Sequence, residues 1–483
     1  MKTYLWMICW LIALSGSVQM LNAQERDCPV TIFYGLNESH GNDWAQQNRS
    51  GLKGMVLFYG NTGDLVYKTI NSEGLEDEIP VTNGTHLEVS VLLYDSINAP
   101  HIFVAQSEQN QQIITHYYQT NCSEWQNEIV MTFQNDGTDF IYEMSADIDT
   151  DNSFHLAILK TIDNPDSDNY YNAYQDAQLY YVTNAVNGWS AQLVRQFDMI
   201  WTLDEYSKTF NRQDIKVDQN HQVHILYGEQ MHEANNLYPN RLIYSNNING
   251  SWQHEVAVNF DENTCDSAGW YFSLAIDHYN NPCISYCYIR RVGSGSAINA
   301  RLWFGRRISS NNWQLELVCS DDDGYWGSDG HGYTGAHTCL VFDNENLPFI
   351  AFSDIASSHS NMNYFNTGNV RIAVKNNNQW SISTLYHQPQ PISFFNAQEI
   401  YGLRLFLSPD HEVQIVAQEL DLFSEDEYSF STLYITENLT GTYEDYAQTP
   451  GKLINYPNPF NPETQISFSL TKQSATQILI YNI

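Results

Sequence analysis

The chain has 483 residues, a formal net charge of −35 at pH 7 and 14% aromatic residues, including 32 tyrosines. This length suffices for one large domain plus a smaller module, and the aromatic content excludes wholesale disorder. The negative charge argues against nucleic-acid binding, which depends on neutralising phosphates with Lys and Arg, and against binding to an anionic membrane surface.

The N-terminus has the features of a secretory signal peptide. Lys2 supplies a positive charge, residues 4–14 form an almost unbroken apolar run, and Ala23 offers a small residue at a cleavage point. The apolar run is about half of the roughly 20 residues that a membrane-spanning helix needs. We therefore expect residues 1–23 to be removed on export, with no membrane span in the remaining chain.

Export to an oxidising compartment makes disulfide bonds a candidate feature. Cys28 with Cys122 and Cys319 with Cys339 are the candidate pairs. Cys283 and Cys287 would lie about 13 Å apart along one strand, which is too far for a direct bond.

A unit of two apolar strands around a six-residue turn recurs along the chain. An Asp, or Ser in the last copy, opens each turn and can accept hydrogen bonds from backbone amides two residues on. These residues are Asp95, Asp149, Asp218, Asp277, Asp343 and Ser408. In the second half of each unit another strand leads to an Asn/Gly turn and an aromatic residue that opens a last strand. These aromatic residues are Trp125, Trp189, Trp252, Trp313, Trp380 and Tyr443.

Four short strands per repeated unit indicate a β-propeller. We predict an all-β protein in which residues 24–447 form a six- or seven-bladed propeller. The clear blades are expected at about residues 88–130, 142–194, 210–258, 270–318, 335–385 and 400–447, with a degenerate blade at about 52–81. The recurrent Trp is expected in the core, and the His found six residues after some turn Asp residues is expected to be structural.

The repeat broadly resembles the Asp- and Trp-punctuated propellers of sialidase-like and lectin-like bacterial proteins. The resemblance implies a scaffold with loops that bind or act on carbohydrate. The sialidase turn Ser-x-Asp-x-Gly-x-Thr-Trp does not occur in the sequence, and neither does a GxSxG or HExxH motif.

Because propeller strands alternate in direction, the second-to-third loops and the blade connections share one face. The predicted long loops on this face are residues 160–176, 195–211, 229–240, 259–269, 290–299, 320–335, 354–369 and 387–399. Long loops on a rigid scaffold are where binding and catalysis concentrate. Aromatic rings stack on sugars, so the ligand-binding candidates are Tyr170, Tyr171, Tyr174, Trp201, Tyr206, Tyr325, Trp326 and His331. The catalytic candidates, chosen by position only, are Asp204, Glu205, Asp321, Asp323 and Asp329.

The run DDDGYWGSDGH at residues 321–331 partly resembles a calcium loop with oxygen ligands. Asp321, Asp323 and Asp329 are the candidate ligands, and calcium is the one cofactor that the sequence suggests. The run lacks the spacing and the closing Glu of an EF-hand, and a solvated acidic turn is the alternative.

The C-terminal run YPNPFNPETQISF at residues 456–468 carries the most specific motif. Its residues Pro457, Asn458, Pro459, Phe460, Asn461, Pro462 and Thr464 resemble the opening of the C-terminal sorting domain of type IX secretion in Bacteroidetes-like bacteria. That domain is an immunoglobulin-like β-sandwich of about seven strands, and only two strands fit here. The resemblance therefore implies that residues 448–483 are a linker and a truncated sorting domain.

Three functions remain open for such a protein. It is most simply a carbohydrate- or protein-binding module, secreted or held on the outer surface of a Gram-negative bacterium after passing the periplasm. The alternatives are a glycoside hydrolase or polysaccharide lyase using loop carboxylates, and a structural or adhesion component. The sequence favours binding over catalysis. The expected partners are carbohydrate or a surface protein and the type IX machinery, and we expect a monomer.

Overall fold

The computed structural model of this chain describes a set of strands and the short turns between them. The described residues are 30–35, 43–46, 53–59, 63–71, 74–75, 78–83, 87–108, 110–119, 124–134, 140–162, 174–200, 213–230, 240–259, 271–291, 298–320, 331–360, 363–387, 398–408, 412–422, 428–438, 454–461 and 463–467. Within these residues every regular element is a β-strand. No helix in this part of the chain is long and apolar enough to cross a membrane.

The strands form a seven-bladed β-propeller, which confirms the predicted fold class and sets the blade count. Blades 2 to 6 each contain four consecutive strands, numbered here from the centre outward. Blade 2 is Leu87–Tyr94, Pro100–Glu108, Gln111–Gln119 and Trp125–Gln134; blade 3 is Phe140–Ile148, Phe154–Ile162, Tyr174–Thr183 and Ser190–Ile200; blade 4 is Gln213–Val217, Val223–Gln230, Asn240–Asn246 and Gln253–Val258. Blade 5 is Phe272–Ile276, Pro282–Arg291, Ile298–Ser309 and Asn312–Ser320; blade 6 is His331–Phe342, Pro348–Ser360, Asn363–Asn376 and Gln379–His387.

Blade 7 is closed by the N-terminal part of the chain. Its inner three strands are Gln398–Leu407, Glu412–Leu422 and Tyr428–Asn438, and its outer strand is Val30–Gly35, which pairs antiparallel with Tyr428–Asn438. The expectation that Tyr443 opens this outer strand is therefore wrong, and Tyr443 itself lies outside the described residues. Joining the two ends of the chain in one sheet closes the ring of blades.

Blade 1 is the degenerate unit and begins earlier than expected. Its inner strand is Asp43–Gln46, followed by Lys53–Tyr59 and Asp64–Asn71. The outer strand Ile79–Asn83 pairs with Asp64–Asn71, as does the short strand Gly74–Leu75. The predicted start near residue 52 missed the inner strand.

The repeated turn is held by the Asp that opens it. In blade 3, Asp149 Oδ1 accepts the backbone N–H groups of Asp151 (2.9 Å) and Ser153 (2.8 Å). Asp95, Asp218, Asp277 and Asp343 accept the corresponding two amides in their own blades. The turn also needs one residue in the left-handed region, which Asn tolerates better than most residues other than Gly, for example Asn152 at φ 62°.

The hydrophobic core lies between neighbouring blades. Leu179 and Tyr181 of blade 3, for example, pack in one buried cluster with Ile225 and Tyr227 of blade 4. The five repeated Trp residues contact such clusters at successive junctions, which agrees with their predicted core role. Sheets that stack face to face in this way need apolar residues on both faces, which explains the continuous apolar runs in the second strands.

Residues 354–369, predicted as a long loop, form the end of a β-hairpin instead. The strands Pro348–Ser360 and Asn363–Asn376 pair without a register shift from Phe349↔Val374 to Ser360↔Asn363. Extending both strands satisfies the backbone groups that a loop of this length would leave to water.

The C-terminal motif forms a two-stranded hairpin of Ile454–Asn461 and Glu463–Ser467. Its register shifts between Tyr456 and Asn461, where Pro457 and Pro459 have no amide hydrogen to donate. Thr464 lies in the second strand, and Pro462 lies outside the described residues.

The described cysteines carry free thiols. Cys319 and Cys339 are among them, so the candidate bond between these two does not form. Cys283 and Cys287 are also free, as their spacing predicted. Cys28 and Cys122 lie outside the described residues.

Candidate functional site: the central channel and the long-connection face

The long connections do leave the blades on one side, here called the long-connection face. Some join the second strand of a blade to its third, in blades 3, 4, 5 and 7: residues 163–173, 231–239, 292–297 and 423–427. The others link blades 3 to 7 in series: residues 201–212, 260–271, 321–330 and 388–397. Blades 1 and 2 have short connections there. The opposite side, the short-turn face, has turns such as residues 149–153, 218–222 and 377–378.

Most of the predicted site residues lie outside the described residues. These are Tyr170, Tyr171, Trp201, Asp204, Glu205, Tyr206, Asp321, Asp323, Tyr325, Trp326 and Asp329. Tyr174 begins the third strand of blade 3, and His331 begins the inner strand of blade 6. Both strands begin at the long-connection face, on different blades. A bridge between Ile298 and His331 links blade 5 to blade 6 at this level.

The inner strands surround a central channel, and a spiral of side-chain to backbone hydrogen bonds ties them together. The N–H of Val217 donates to Asp147 Oδ2 at 2.7 Å, and the N–H of Leu274 donates to Asp214 Oδ2 at 2.8 Å. The next two steps use Ser273, which accepts from Leu340 (3.2 Å), and Cys339, which accepts from Leu405 (3.4 Å). Each acceptor thus belongs to one blade and each donor to the next.

Lys216 brings a positive charge between two of these carboxylates. Its Nζ donates to Asp214 Oδ1 at 3.2 Å and to the Ile215 carbonyl at 3.1 Å. Burial alone lowers the pKa of Lys216, but the charges of Asp214 and Asp147 raise that pKa above its usual value. The ammonium therefore stays charged, and 34% of the side chain remains exposed to the channel.

Burial and neighbouring charge act on the pKa of Asp147 in the opposite sense to their action on Lys216. Burial raises the pKa of Asp147, and the charge of Lys216 opposes that rise. Because one of its oxygens accepts from Val217, Asp147 is oriented by the neighbouring blade. Burial favours the protonated form of this carboxyl, and the neighbouring ammonium favours the ionised form.

The same channel contains a second group of titratable side chains on blades 6 and 7. Burial, together with the charge of Arg404, lowers the pKa of His337 to about 3. Burial raises the pKa of Cys339, and Arg404 opposes that rise. The backbone here is irregular, because the ladder shifts between Thr334 and Cys339 and His337 has a φ of 48°. Such bulges and left-handed residues are frequent beside functional sites.

Sequence reasoning missed Asp147, Asp214 and Lys216. A signal was present, since these charged residues lie two or four positions before the turn residues Asp149 and Asp218 and alternate with apolar residues. Charged residues at matching positions of inner strands face the channel and not a blade core.

The recurrent His residues belong to the short-turn face and are structural, as predicted. In blade 3, His155 Nδ1 is 2.7 Å from the Tyr181 hydroxyl and its Nε2 is 3.2 Å from Asp149 Oδ2. Blade 4 repeats the pair with His224 Nδ1 and the Tyr244 hydroxyl at 2.5 Å. Among the described residues, no group of three or more His, Cys, Asp or Glu side chains is placed to hold a metal ion. The predicted calcium ligands fall outside those residues.

No protein-family model matches this chain, and no curated protein matches it in sequence. Solved structures share its strand arrangement. A protein of unknown function from Dyadobacter fermentans is 9% identical, with a TM-score of 0.42 over 73% of this chain and 95% of that one. The polysaccharide lyase Uly1 is 9% identical, with a TM-score of 0.43 over 82% and 90%. An alpha-L-arabinanase from Penicillium chrysogenum is 9% identical, with a TM-score of 0.35 over 83% and 94%.

Proposed function

We propose that this protein is an exported propeller that binds carbohydrate on its long-connection face, around the mouth of the central channel. The observation that carries the proposal is the coincidence of two features. The long connections of blades 3 to 7 leave on one side, and the inner strand after residues 201–212 carries Asp214 near that end of the channel. Lys216, which donates to Asp214, and Asp147 lie deeper in the channel, at the level of His224 and His155. A pocket with a few fixed polar groups at the centre of long loops is where a propeller binds its ligand.

Two aromatic candidates belong to the long-connection side of blade 3, at its outer strands. Trp201 directly follows the outer strand of blade 3 at its long-connection end, and Tyr174 begins the strand paired with it, opposite Ile200. Aromatic rings stack on the apolar faces of sugars, while carboxylates and an ammonium accept from and donate to hydroxyl groups. The overall negative charge of the chain makes a neutral glycan a better ligand than a highly sulfated one.

Binding to a glycan array by the purified chain is the first test, followed by calorimetric titration of the best glycan. We expect Trp201→Ala and Lys216→Gln each to weaken binding about tenfold, a loss typical of one stacking or charge-assisted contact. Lys68→Gln, which removes an ion pair with Glu78 on blade 1, is the matched control and should bind normally. Absence of glycan binding by the wild type, or equal binding by all variants, contradicts the proposal.

Glycan cleavage is the second candidate, because Asp147 combines a raised pKa with a neighbouring cation. A protonated carboxyl can act as a general acid, although hydrolysis also requires a second carboxylate at a suitable distance. Asp147→Asn keeps an oxygen for the Val217 amide and removes the proton. Release of reducing ends or unsaturated products by the wild type, abolished in this variant with glycan affinity retained, supports an enzyme. Binding without products favours the binding module, and self-association without glycan binding favours an adhesion role.

Delivery to the cell exterior is part of the same proposal. It is supported by the N-terminal apolar run after Lys2 and by the motif at residues 456–468. A reporter carrying the leader and residues 448–483, expressed in a strain with type IX secretion, tests both signals. We expect to find the reporter in the surface or medium fraction when the leader is present and in the cytoplasm when the leader is removed. Periplasmic retention of the reporter contradicts the sorting role of the C-terminal segment.

A further inference from the structure

A second groove lies away from the channel, between blades 5 and 6 on the short-turn face. Its volume is about 390 Å³, at the small end of the range for small-molecule sites. Arg306 and Glu316 form the blade 5 wall, and Lys375 with Asn377 and Asn378 forms part of the blade 6 wall. These residues come from strand ends and turns of the short-turn face.

The groove coincides with a departure from the repeat. In blades 3 and 4 the His after the turn Asp bonds to a Tyr hydroxyl. In blade 5 the corresponding residues are Cys283 and Phe304, which are smaller or lack the hydroxyl. Arg306, which pairs with Cys283 in the ladder, reaches Asp277 with Nε 3.5 Å from Oδ2. Blades 6 and 7 also lack the His, with Phe349 and Gln414 in its place, but only blade 5 pairs the replaced position with an arginine.

Two cations, Arg306 and Lys375, line this groove together with Glu316, although the whole chain carries a net charge of −35. Lys375 Nζ donates to Glu316 Oε1 at 2.5 Å, and an ammonium group has two further hydrogens to donate. Glu316 Oε1 also accepts from Trp380 Nε1 at 3.1 Å, so this carboxylate oxygen already accepts two hydrogen bonds from blade 6. The Arg306 side chain is 36% exposed, and its buried Nε faces Asp277 Oδ2 at 3.5 Å with no hydrogen bond among the described residues.

The remaining polar groups of the groove are amides. Asn377 and Asn378 form the tight turn of blade 6 with φ of 50° and 62°, and both side chains are exposed at the rim. Asn346 is oriented by the His278 N–H, which donates to its Oδ1 at 2.8 Å. Amides both donate and accept, which matches hydroxyl groups, while Arg and Lys together match a carboxylate.

We infer that this groove binds a sugar acid, with the carboxylate held by Arg306 and Lys375 and the hydroxyl groups by the Asn amides. The ligand is a uronic acid, either free or at the end of an oligosaccharide. This site is separate from the long-connection face, so it neither requires nor excludes the glycan site proposed there.

Calorimetric titration of the full chain with glucuronate, galacturonate and their short oligomers tests the inference, with glucose and galactose as neutral comparators. We expect saturable binding of at least one acid, no binding of its neutral counterpart, and weakening at higher salt because the contact is ionic. Binding of the oligomer but not the monomer identifies a chain end as the ligand, and equal binding identifies the free acid.

Arg306→Gln and Lys375→Met each remove one cation and should weaken binding about tenfold, the loss expected for one charge-assisted contact. Lys68→Gln is the matched control, because it removes one partly buried lysine that pairs with a glutamate on a distant blade. Trp201→Ala should leave this affinity unchanged, which separates the groove from the long-connection face. No uronate binding by the wild type, or equal binding by variants whose circular dichroism and melting are normal, overturns the inference.

Discussion

Trp313 Nε1 donates a 2.8 Å hydrogen bond to Glu255 Oε1, which joins the outer strand of blade 5 to that of blade 4. The same contact recurs at three other junctions, between Trp189 and Glu128, Trp252 and Gln192, and Trp380 and Glu316. Each acceptor stands three residues after the Trp of its own blade. The pattern Trp-x-x-Glu/Gln therefore encodes both halves of a contact that each blade makes with its two neighbours.

Replacing Trp313 by Phe tests the energetic weight of this bond. We expect Trp313→Phe to lower the free energy of unfolding by about 2 kcal/mol more than Trp125→Phe, because a bond to a charged acceptor is lost only at Trp313. The two sites are matched in packing, since each indole lies edge-on to a Tyr at 5.4 and 5.6 Å. Trp125 Nε1 has no hydrogen-bond partner within the described residues. Urea denaturation measures the difference, and equal losses would mean that the hydrogen bond of the repeated Trp contact adds no stability beyond packing.

The ion pair of Asp149 and His221 links the turns of blades 3 and 4 with a distance of 2.9 Å. The bond to Asp149 raises the pKa of His221, and burial opposes this rise. A histidine whose pKa is higher in the folded than in the unfolded state stabilises the fold when it is charged. This stabilisation is complete below the unfolded-state pKa of about 6.5 and is lost as the pH rises through the folded-state pKa. We therefore expect wild type to exceed His221→Gln in melting temperature at pH 6 but not at pH 9. NMR titration of His221 should give a pKa that falls in Asp149→Asn, and an unchanged value would contradict this pairing.

Much of the fold follows from local patterns in the sequence. The turn residues Asp95, Asp149 and Asp218 mark the blades because each caps a turn with its own side chain, and this chemistry is local. The outer strand of blade 7 could not be found in this way. Val30–Gly35 pairs with Tyr428–Asn438 from the other end of the propeller, and no local pattern specifies so distant a partner.

The candidate site was harder to predict for a related reason. Aromatic and acidic residues such as Trp201 and Asp321 were predicted as site residues because they lie in long connections. The channel group of Asp147, Asp214 and Lys216 comes from the inner strands of blades 3 and 4, and only the packing of one blade on the next brings those strands together. The groove at Arg306 likewise depends on which residue is absent from a repeated position, namely the His replaced by Cys283.

A buried histidine pair in blade 2 predicts acid sensitivity. His101 Nδ1 is 2.9 Å from His116 Nε2, and His116 Nδ1 is 3.1 Å from Glu128 Oε1. Burial lowers the pKa of His116 to about 4, and the bond to Glu128 opposes that shift. Because the unfolded state binds the proton first, stability should fall as pH drops from about 6.5 towards 4. His116→Gln keeps the hydrogen bonds without ionising, so its urea midpoint should fall less over this window. His278→Gln changes an exposed histidine and is the control, so its urea midpoint should change with pH as that of the wild type does.

Closure by Val30–Gly35 predicts that the last blade depends on the N-terminal strand. Removing residues 24–35 leaves Tyr428–Asn438 with an unpaired edge, which loses the ladder hydrogen bonds that its amides make with the outer strand. We expect faster hydrogen exchange in Tyr428–Asn438 and a lower melting temperature, because the ring is then open between blades 7 and 1. Removing only residues 24–29 leaves the strand intact and is the matched control. Exchange should stay slow in the outer strand Gln253–Val258 of blade 4, which lies far from the closure. Equal protection of Tyr428–Asn438 in both truncated chains would contradict this role, since the strand would then contribute nothing to the closed ring.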